Sequence, residues 1–216
     1  MASAACLAGR VVPEPFATEI DFIFKPMLMP FLALFLYVEA KGKLDGNLKH
    51  LLLALLFAYG GDLALMGEGI FFLLGLGSFL VMQILYILLF RKDWAKPSFL
   101  MKKPVWIMIF GLIGIVFYYF SYPALKTDIV MFIAVAVYAA ALVSMALSAL
   151  NRKGGVGEQG FQMLFIGASL FMISDLMIGV NQFIIKDFPY AGFAIMATYI
   201  SGQWLIVKGY LQKQLH

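Results

Sequence analysis

The sequence is poor in the residues that form most metal and hydrolytic centres. Its 216 residues include one cysteine, Cys6, so neither an internal disulfide nor a multi-thiolate metal site can form within the chain. His50 and His216 are the only histidines, which excludes a three-histidine zinc site and leaves no histidine deep in an apolar segment to activate a serine. For any catalysis by this chain, carboxylates are therefore the best candidates for acid and base, and we expect no metal and no cofactor.

Charged residues are also scarce. They make up 13% of the sequence, against about 25% in ordinary soluble domains, while hydrophobic residues make up 63%. A soluble core of this size cannot hide so much apolar surface, whereas a lipid bilayer can. The N-terminus is not a clean signal peptide, because Arg10 interrupts it and Pro13, Glu14 and Pro15 follow where an apolar core should lie. We predict an all-α, polytopic transmembrane helical bundle.

Seven stretches are suited to transmembrane helices, each of which needs roughly 20 mostly apolar residues. Helix is favoured over a β-barrel because lipid cannot satisfy open backbone groups and no polar–apolar alternation is seen. The predicted spans are Ile20 to Val38, Leu48 to Met66, Ile70 to Phe90, Pro104 to Tyr122, Asp128 to Leu150, Gln159 to Phe183 and Phe188 to Tyr210. We expect one transmembrane helical domain over residues 20–212, preceded by an N-terminal segment, residues 1–19, that could hold a shortened first helix.

Basic residues alternate between rich and poor connectors, as seven spans require. One side carries four of them, and the other carries twelve. The four are Arg10, Lys25, Lys126 and Lys186, and the twelve are Lys41, Lys43, Lys49, Arg91, Lys92, Lys96, Lys102, Lys103, Arg152, Lys153, Lys208 and Lys213. The positive-inside rule places the C-terminus in the cytoplasm and the N-terminus outside, in a bacterial-type cytoplasmic membrane. Orientation and attraction to anionic lipid explain this charge, so we expect membrane lipids and no nucleic acid as partners.

Three charged side chains lie more than two residues inside the predicted spans, where such groups are costly and usually mark function. They are Lys25 in IDFIFKPMLMP, Asp62 in FAYGGDLALM and Asp175 in LFMISDLMIGVNQF. All fall in the outer half of the predicted membrane, with Asp62 about 6 Å and Asp175 about 12 Å from the outer ends of their helices. Together they could line one cavity. The alternative is structural: an ion pair with Lys25, or a protonated aspartate bonded to a neighbouring helix, and Lys25 alone is better explained by snorkelling to the interface.

Other polar residues in the spans could support such a site. Gln83, Asn181 and Gln203 are candidates, although an interhelical hydrogen bond, worth roughly 0.6 kcal/mol, explains each of them at least as well.

A weak internal repeat adds two tyrosines to the candidates. Asp62 precedes Tyr86 by 24 residues, and Asp175 precedes Tyr199 by 24 residues. Each pair extends over two successive helices in the same orientation, which suggests a parallel duplication. Coincidence is the alternative, because the surrounding identity is poor.

Five segments, in this order and spacing, resemble the YhhN family of membrane proteins, which includes the lysoplasmalogenases of animals. They are FKPMLMP, GGDLALM, GLGSFLVMQILYILLF, SDLMIGVNQF and ATYISGQWLIVKG, spread over residues 22–209. The resemblance implies eight helices, one more than the spans found here, so the first helix looks shortened or absent. It also places the two family aspartates on Asp62 and Asp175. Many members carry histidine where this chain has Gln83, which weakens a role for that position.

The resemblance implies hydrolysis of the vinyl ether bond of lysoplasmalogens, giving a fatty aldehyde and a glycerophospho head group. The substrate is a lysophospholipid or another ether lipid with one chain, which suits a site inside a bilayer. The reaction begins with protonation of the distal alkene carbon, and a second carboxylate can then stabilise the oxocarbenium ion and take a proton from water. On depth alone, we expect Asp175 as the acid and Asp62, taken as the better solvated carboxylate, as the base.

Two other functions fit the same residues. A small-molecule or lipid transporter would use intramembrane aspartates for proton coupling, although the spans show little of the glycine and proline interruption that transporter sites often have. A lipid-binding or scaffold protein would use the aspartates structurally. An enzyme converts lipid in detergent, a transporter needs two compartments, and a scaffold does neither.

Overall fold

The computed structural model describes residues 26–67, 69–185 and 190–212, and the regular elements among them are all α-helices. They are α1 (Leu28–Glu39), α2 (Gly46–Ala64), α3 (Ile70–Arg91), α4 (Phe99–Lys102), α5 (Val105–Leu125), α6 (Ile129–Leu150), α7 (Glu158–Phe183) and α8 (Ala191–Gln212). The predicted all-α bundle is confirmed. Residues 1–19, the start of the first predicted span and Lys25 lie outside the described residues.

The long helices follow the predicted spans closely, and the clearest difference is at Pro123. The fourth span was predicted to end at Tyr122, and a proline, which lacks the N–H that continues a helix, follows it. In the structure α5 continues through Pro123 to Leu125. The lost hydrogen bond falls in the last turn, so few later bonds depend on it, and apolar transmembrane helices tolerate such prolines.

Aspartate side chains cap the helices that carry two residues of the site. Asp45 Oδ1 accepts a hydrogen bond from the Leu48 N–H at 2.7 Å at the start of α2. Asp128 Oδ1 accepts from the N–H groups of Val130 and Met131, at 3.0 and 3.1 Å, at the start of α6. Each cap satisfies backbone donors that have no partner within the helix, and so it fixes where the helix begins.

The core of the bundle is mostly apolar but encloses several polar side chains, and its outer surface is also apolar, unlike that of a soluble protein. The buried side chains include Asp62, Gln83, Asp175 and Gln203, while α5 turns large apolar side chains such as Met108 outward. Helices α3, α5, α6 and α7 are long and apolar enough to cross a membrane. These four helices indicate an integral membrane protein. The count of seven spans and the orientation remain predictions.

Glycines bring α7 and α8 into the most extensive helix–helix contact of the bundle. A Cβ atom on Gly167 would lie 2.7 Å from the carbonyl oxygen of Gly202, and one on Gly202 would lie 2.9 Å from the carbonyl oxygen of Gly167. Backbones approach this closely only where side chains are absent, which is how small residues pack membrane helices. The contact sets the position of Tyr199 on α8 relative to Asp175 on α7.

Candidate active site

Side chains from two helices, α3 and α6, converge on Asp175 of α7. Its Oδ2 atom accepts a hydrogen bond from the Tyr138 hydroxyl on α6 at 2.5 Å. The same oxygen accepts a longer bond from Gln83 Nε2 on α3 at 3.3 Å. Gln83 is fully buried, and its amide oxygen has no hydrogen-bond partner among the described residues. Asp175 is therefore held in place through one oxygen, which leaves Oδ1 for other chemistry.

The second carboxylate, Asp62, is bound by α8. Its Oδ2 atom accepts a hydrogen bond from the Tyr199 hydroxyl at 2.9 Å. The Tyr199 ring packs edge-on against Phe79, with ring centroids 6.1 Å apart. Asp62 and Asp175 lie close enough for their charges to interact. The two aspartates thus belong to one buried polar cluster, although they are 113 residues apart in the sequence.

A second hydrogen-bonded group extends the cluster along α3 and α8. The Tyr86 hydroxyl donates to Gln203 Oε1 at 2.6 Å, and Gln203 Nε2 donates to Met82 Sδ at 3.3 Å. Tyr86 and Tyr199 are also close enough to interact electrostatically. Tyr86 and Gln203 are fully buried, so their hydrogen bond joins α3 to α8 within the core and supports the position of Tyr199.

The structure brings together most of the residues that were predicted for the site. The ones that meet in the cluster are Asp62, Gln83, Tyr86, Asp175, Tyr199 and Gln203. Asn181 lies half-buried on α7, six residues beyond Asp175 and about 9 Å along the helix. Lys25 lies outside the described residues, so an ion pair between it and either aspartate remains a prediction.

One expectation about the aspartates is corrected. Asp62 was expected to be the better solvated carboxylate because it lies nearer the end of its helix. In the structure Asp62 is 2% exposed and Asp175 is 9% exposed. Asp62 is covered by neighbouring side chains, among them Tyr199 of α8, so distance from the helix end does not measure access to solvent.

Tyr138 was not predicted, although it makes the shortest bond to Asp175. A signal for it was present: it is the only polar side chain in the stretch from Ile129 to Val143, far from the ends where interfacial tyrosines lie. A hydroxyl in such a position needs a partner. The sequence could not show that the partner is a carboxylate on α7.

An apolar cavity adjoins Asp175. Its wall is formed by Leu65, Phe72, Leu76, Phe79, Ile113, Gly114, Phe117, Val135, Tyr138, Ala139, Leu142, Val143, Met172, Asp175, Leu176, Ile178, Gly179 and Phe183. The cavity has about 670 Å³ of atom-free space including its opening, but only about 50 Å³ of it can hold the centre of a water molecule. It is therefore narrow. Tyr138 and Asp175 supply the polar groups of the wall, which suits a slender apolar ligand with one reactive polar end.

A separate buried ion pair lies in the loops that follow the C-terminal ends of α3 and α6. Arg152 donates to Asp93 Oδ2 from Nε at 3.2 Å and from Nη2 at 2.9 Å. The guanidinium lies over the rings of Phe90 and Tyr210, 5.8 and 5.6 Å from their centroids. Burial lowers the pKa of Arg152 and the Asp93 charge opposes that shift, so the arginine stays charged at neutral pH. In the sequence Arg152 was only a loop charge, so this pair was missed.

Metal-binding side chains do not gather anywhere in the described part of the chain. No three histidine, cysteine, aspartate or glutamate side chains within it are close enough together to hold an ion. That the protein works without metal or cofactor remains a prediction.

Two buried carboxylates bonded to tyrosines, beside an apolar cavity among helices long enough to cross a membrane, characterise a helical membrane protein with a buried polar cluster. The chain belongs to the YhhN family, whose profile matches residues 20–210. The resemblance found in the five sequence segments is thereby confirmed. Comparison with curated proteins and with solved structures found no match.

Proposed function

We propose that the protein is an intramembrane hydrolase of the lysoplasmalogenase kind, which cleaves the vinyl ether bond of a single-chain ether phospholipid. The observation that carries this proposal is the narrow apolar cavity with the Asp175 carboxyl and the Tyr138 hydroxyl in its wall. A hydrocarbon chain fits such a space, and the bond next to the chain meets the acid. Membership of the YhhN family is consistent with a hydrolase.

The first step is proton transfer from Asp175 to the alkene carbon distal to the ether oxygen. The C=C π electrons form the new C–H bond, and an oxocarbenium ion remains. Both hydrogen bonds to Asp175 come to Oδ2, so Oδ1 carries the transferable proton. The Tyr138 hydroxyl then stabilises the carboxylate that is left, because a hydrogen bond to a charged acceptor is stronger than one to a neutral acceptor.

The second step adds water. Asp62 accepts a proton from water as the water oxygen bonds to the oxocarbenium carbon, giving a hemiacetal. The free amide oxygen of Gln83 is placed beside Asp175 to accept the second hydrogen of that water as a hydrogen bond. The hemiacetal then collapses: Asp175 takes the hydroxyl proton, Asp62 protonates the leaving glycerol oxygen, and the C–O bond breaks. One water is consumed, and both aspartates return to their starting states.

Substrate and product both fit a membrane location. A lysophospholipid has one hydrocarbon chain and already resides in the bilayer, as does the fatty aldehyde that is released. We place the enzyme in a bacterial-type cytoplasmic membrane, with the site in the outer half of that membrane, as the charge distribution predicts.

Mass spectrometry of lipid products tests the proposal. Purified protein in detergent is incubated with a 1-alkenyl lysophospholipid, alongside the Asp62→Asn and Asp175→Asn variants. Asp128→Asn is the matched control, because asparagine caps a helix as well as aspartate does and Asp128 lies outside the site. We expect fatty aldehyde from the wild type and the control, and at least a thousandfold less from the two site variants. Activity close to wild type in both site variants would refute the aspartate mechanism.

A further inference from the structure

The cavity beside Asp175 is not the only apolar space at helices α5 and α6. A groove, here called the outer groove, runs along the outside of the same two helices. It is lined by Gly111, Gly114, Ile115, Tyr118, Tyr119, Tyr122, Ala136, Ala139, Ala140 and Val143. Exposed apolar side chains such as Ile115 and Tyr119 border it, and α5 and α6 are both long and apolar enough to cross a membrane. In a bilayer this groove faces hydrocarbon.

The cavity and the outer groove share Gly114, Ala139 and Val143 in their walls. These three residues lie where α5 and α6 meet, and they are here called the seam. Two of them have little or no side chain, so Val143 supplies most of the material that separates the two spaces. A Cβ atom on Gly114 would lie 3.1 Å from Val143 Cγ2, so the valine methyl already touches the α5 backbone at this point.

We propose that the seam is a lateral portal, through which the hydrocarbon chain of the lipid slides from the bilayer into the cavity beside Asp175. The inference rests on the proposed function for the identity of the lipid. The walls indicate the occupant, because the outer groove faces lipid tails and the wall of the cavity beside Asp175 is almost wholly apolar. A tail that leaves the bilayer for such a cavity exchanges one apolar environment for another, so the main obstacle is the Val143 side chain.

A reversible cross-link tests the portal. Gly114→Cys and Val143→Cys are combined in a Cys6→Ser background, in which no other cysteine remains. A Cβ atom on Gly114 would lie 3.1 Å from Val143 Cγ2, so the two Cβ atoms are at most about 4.6 Å apart, close to the spacing of about 3.5–4.5 Å in a disulfide. The probe is a saturated 1-O-alkyl lysophospholipid with a diazirine on its chain, in phosphatidylcholine vesicles. This probe has no vinyl ether, so its binding is read without hydrolysis.

After photolysis, mass spectrometry measures labelling of peptides that contain the inner cavity residues Phe79 and Met172. We expect labelling to fall at least tenfold when the pair is oxidised and to recover on reduction, while the two single-cysteine variants label equally in both states. The reduced protein serves as the control for folding. Labelling that is the same in the locked and reduced proteins, or no cavity labelling in the reduced protein, overturns the portal. Lock-dependent labelling supports it even if no vinyl ether is hydrolysed, and in that case the proposed activity alone fails.

Discussion

Replacing Tyr138 with phenylalanine isolates one oxygen atom of the site. The Tyr138 hydroxyl lies 2.5 Å from Asp175 Oδ2, and the ring forms part of the cavity wall. The Tyr138→Phe variant keeps the ring and its packing, and it removes only the donor. In the proposed mechanism Tyr138 does not transfer a proton; it positions Asp175 and stabilises the carboxylate that forms when the acid gives up its proton.

The size of the effect follows from that charge. A hydrogen bond to a charged group contributes about 1.5–3 kcal/mol, against about 1 kcal/mol for a neutral one. The bond therefore strengthens as the proton leaves, and its removal raises the barrier more than it weakens substrate binding. Only the difference between the two, about 0.5–2 kcal/mol, is lost between the bound substrate and the transition state. At about 1.4 kcal/mol for each factor of ten, we expect kcat to fall roughly 2- to 30-fold with KM changed less than threefold. A purely structural role would instead raise KM or lower the yield of folded protein.

Aldehyde release at several substrate concentrations, measured in detergent, separates kcat from KM. The matched control is Tyr37→Phe, because Tyr37 is half-exposed on α1 and lies outside the cavity wall. Thermal unfolding of all three proteins establishes that the variants are folded. A Tyr138→Phe enzyme whose kcat is within twofold of the wild-type value would show that this hydrogen bond does not contribute to the chemical step.

Two stability predictions follow from other parts of the structure. Arg152→Met removes the guanidinium that pairs with the buried Asp93 carboxylate, so the free energy of unfolding should fall by about 3–5 kcal/mol, and adding Asp93→Leu should restore most of it. Denaturant unfolding in detergent tests this prediction. Equal stability of Arg152→Met and wild type would contradict it. Gly167→Ala should lower the free energy of unfolding by about 1–3 kcal/mol, because the new Cβ would lie 2.7 Å from the Gly202 carbonyl oxygen. Gly77→Ala, with no atom within 4 Å of its Cβ, should leave the free energy of unfolding unchanged or raise it by up to about 1 kcal/mol. The same unfolding assay compares them, and similar losses in both variants would mean that the α7–α8 contact is not tightly packed.

Much of the fold could be predicted from the sequence, because the signal for a membrane helix is local. A run of about 20 apolar residues needs a bilayer, and within a bilayer the backbone must bond to itself. The starts of α3 and α6 and the end of α7 were therefore predicted to within a residue. Asp62 and Asp175 were recognised for the same local reason, since a carboxylate stands out in an apolar run whatever its neighbours are.

What the tertiary structure decided was which side chains meet. Asp62 bonds to Tyr199 of α8 and Asp175 to Tyr138 of α6, because the arrangement of the whole bundle brings these side chains together. The same packing determines how much solvent each aspartate contacts. Distance from the helix end therefore did not predict which of the two is better solvated. Arg152 looked like one more loop charge until folding buried it. Periodicity and composition describe one helix at a time, whereas burial, pairing and the cavity depend on several helices at once, and only the packed bundle specifies them.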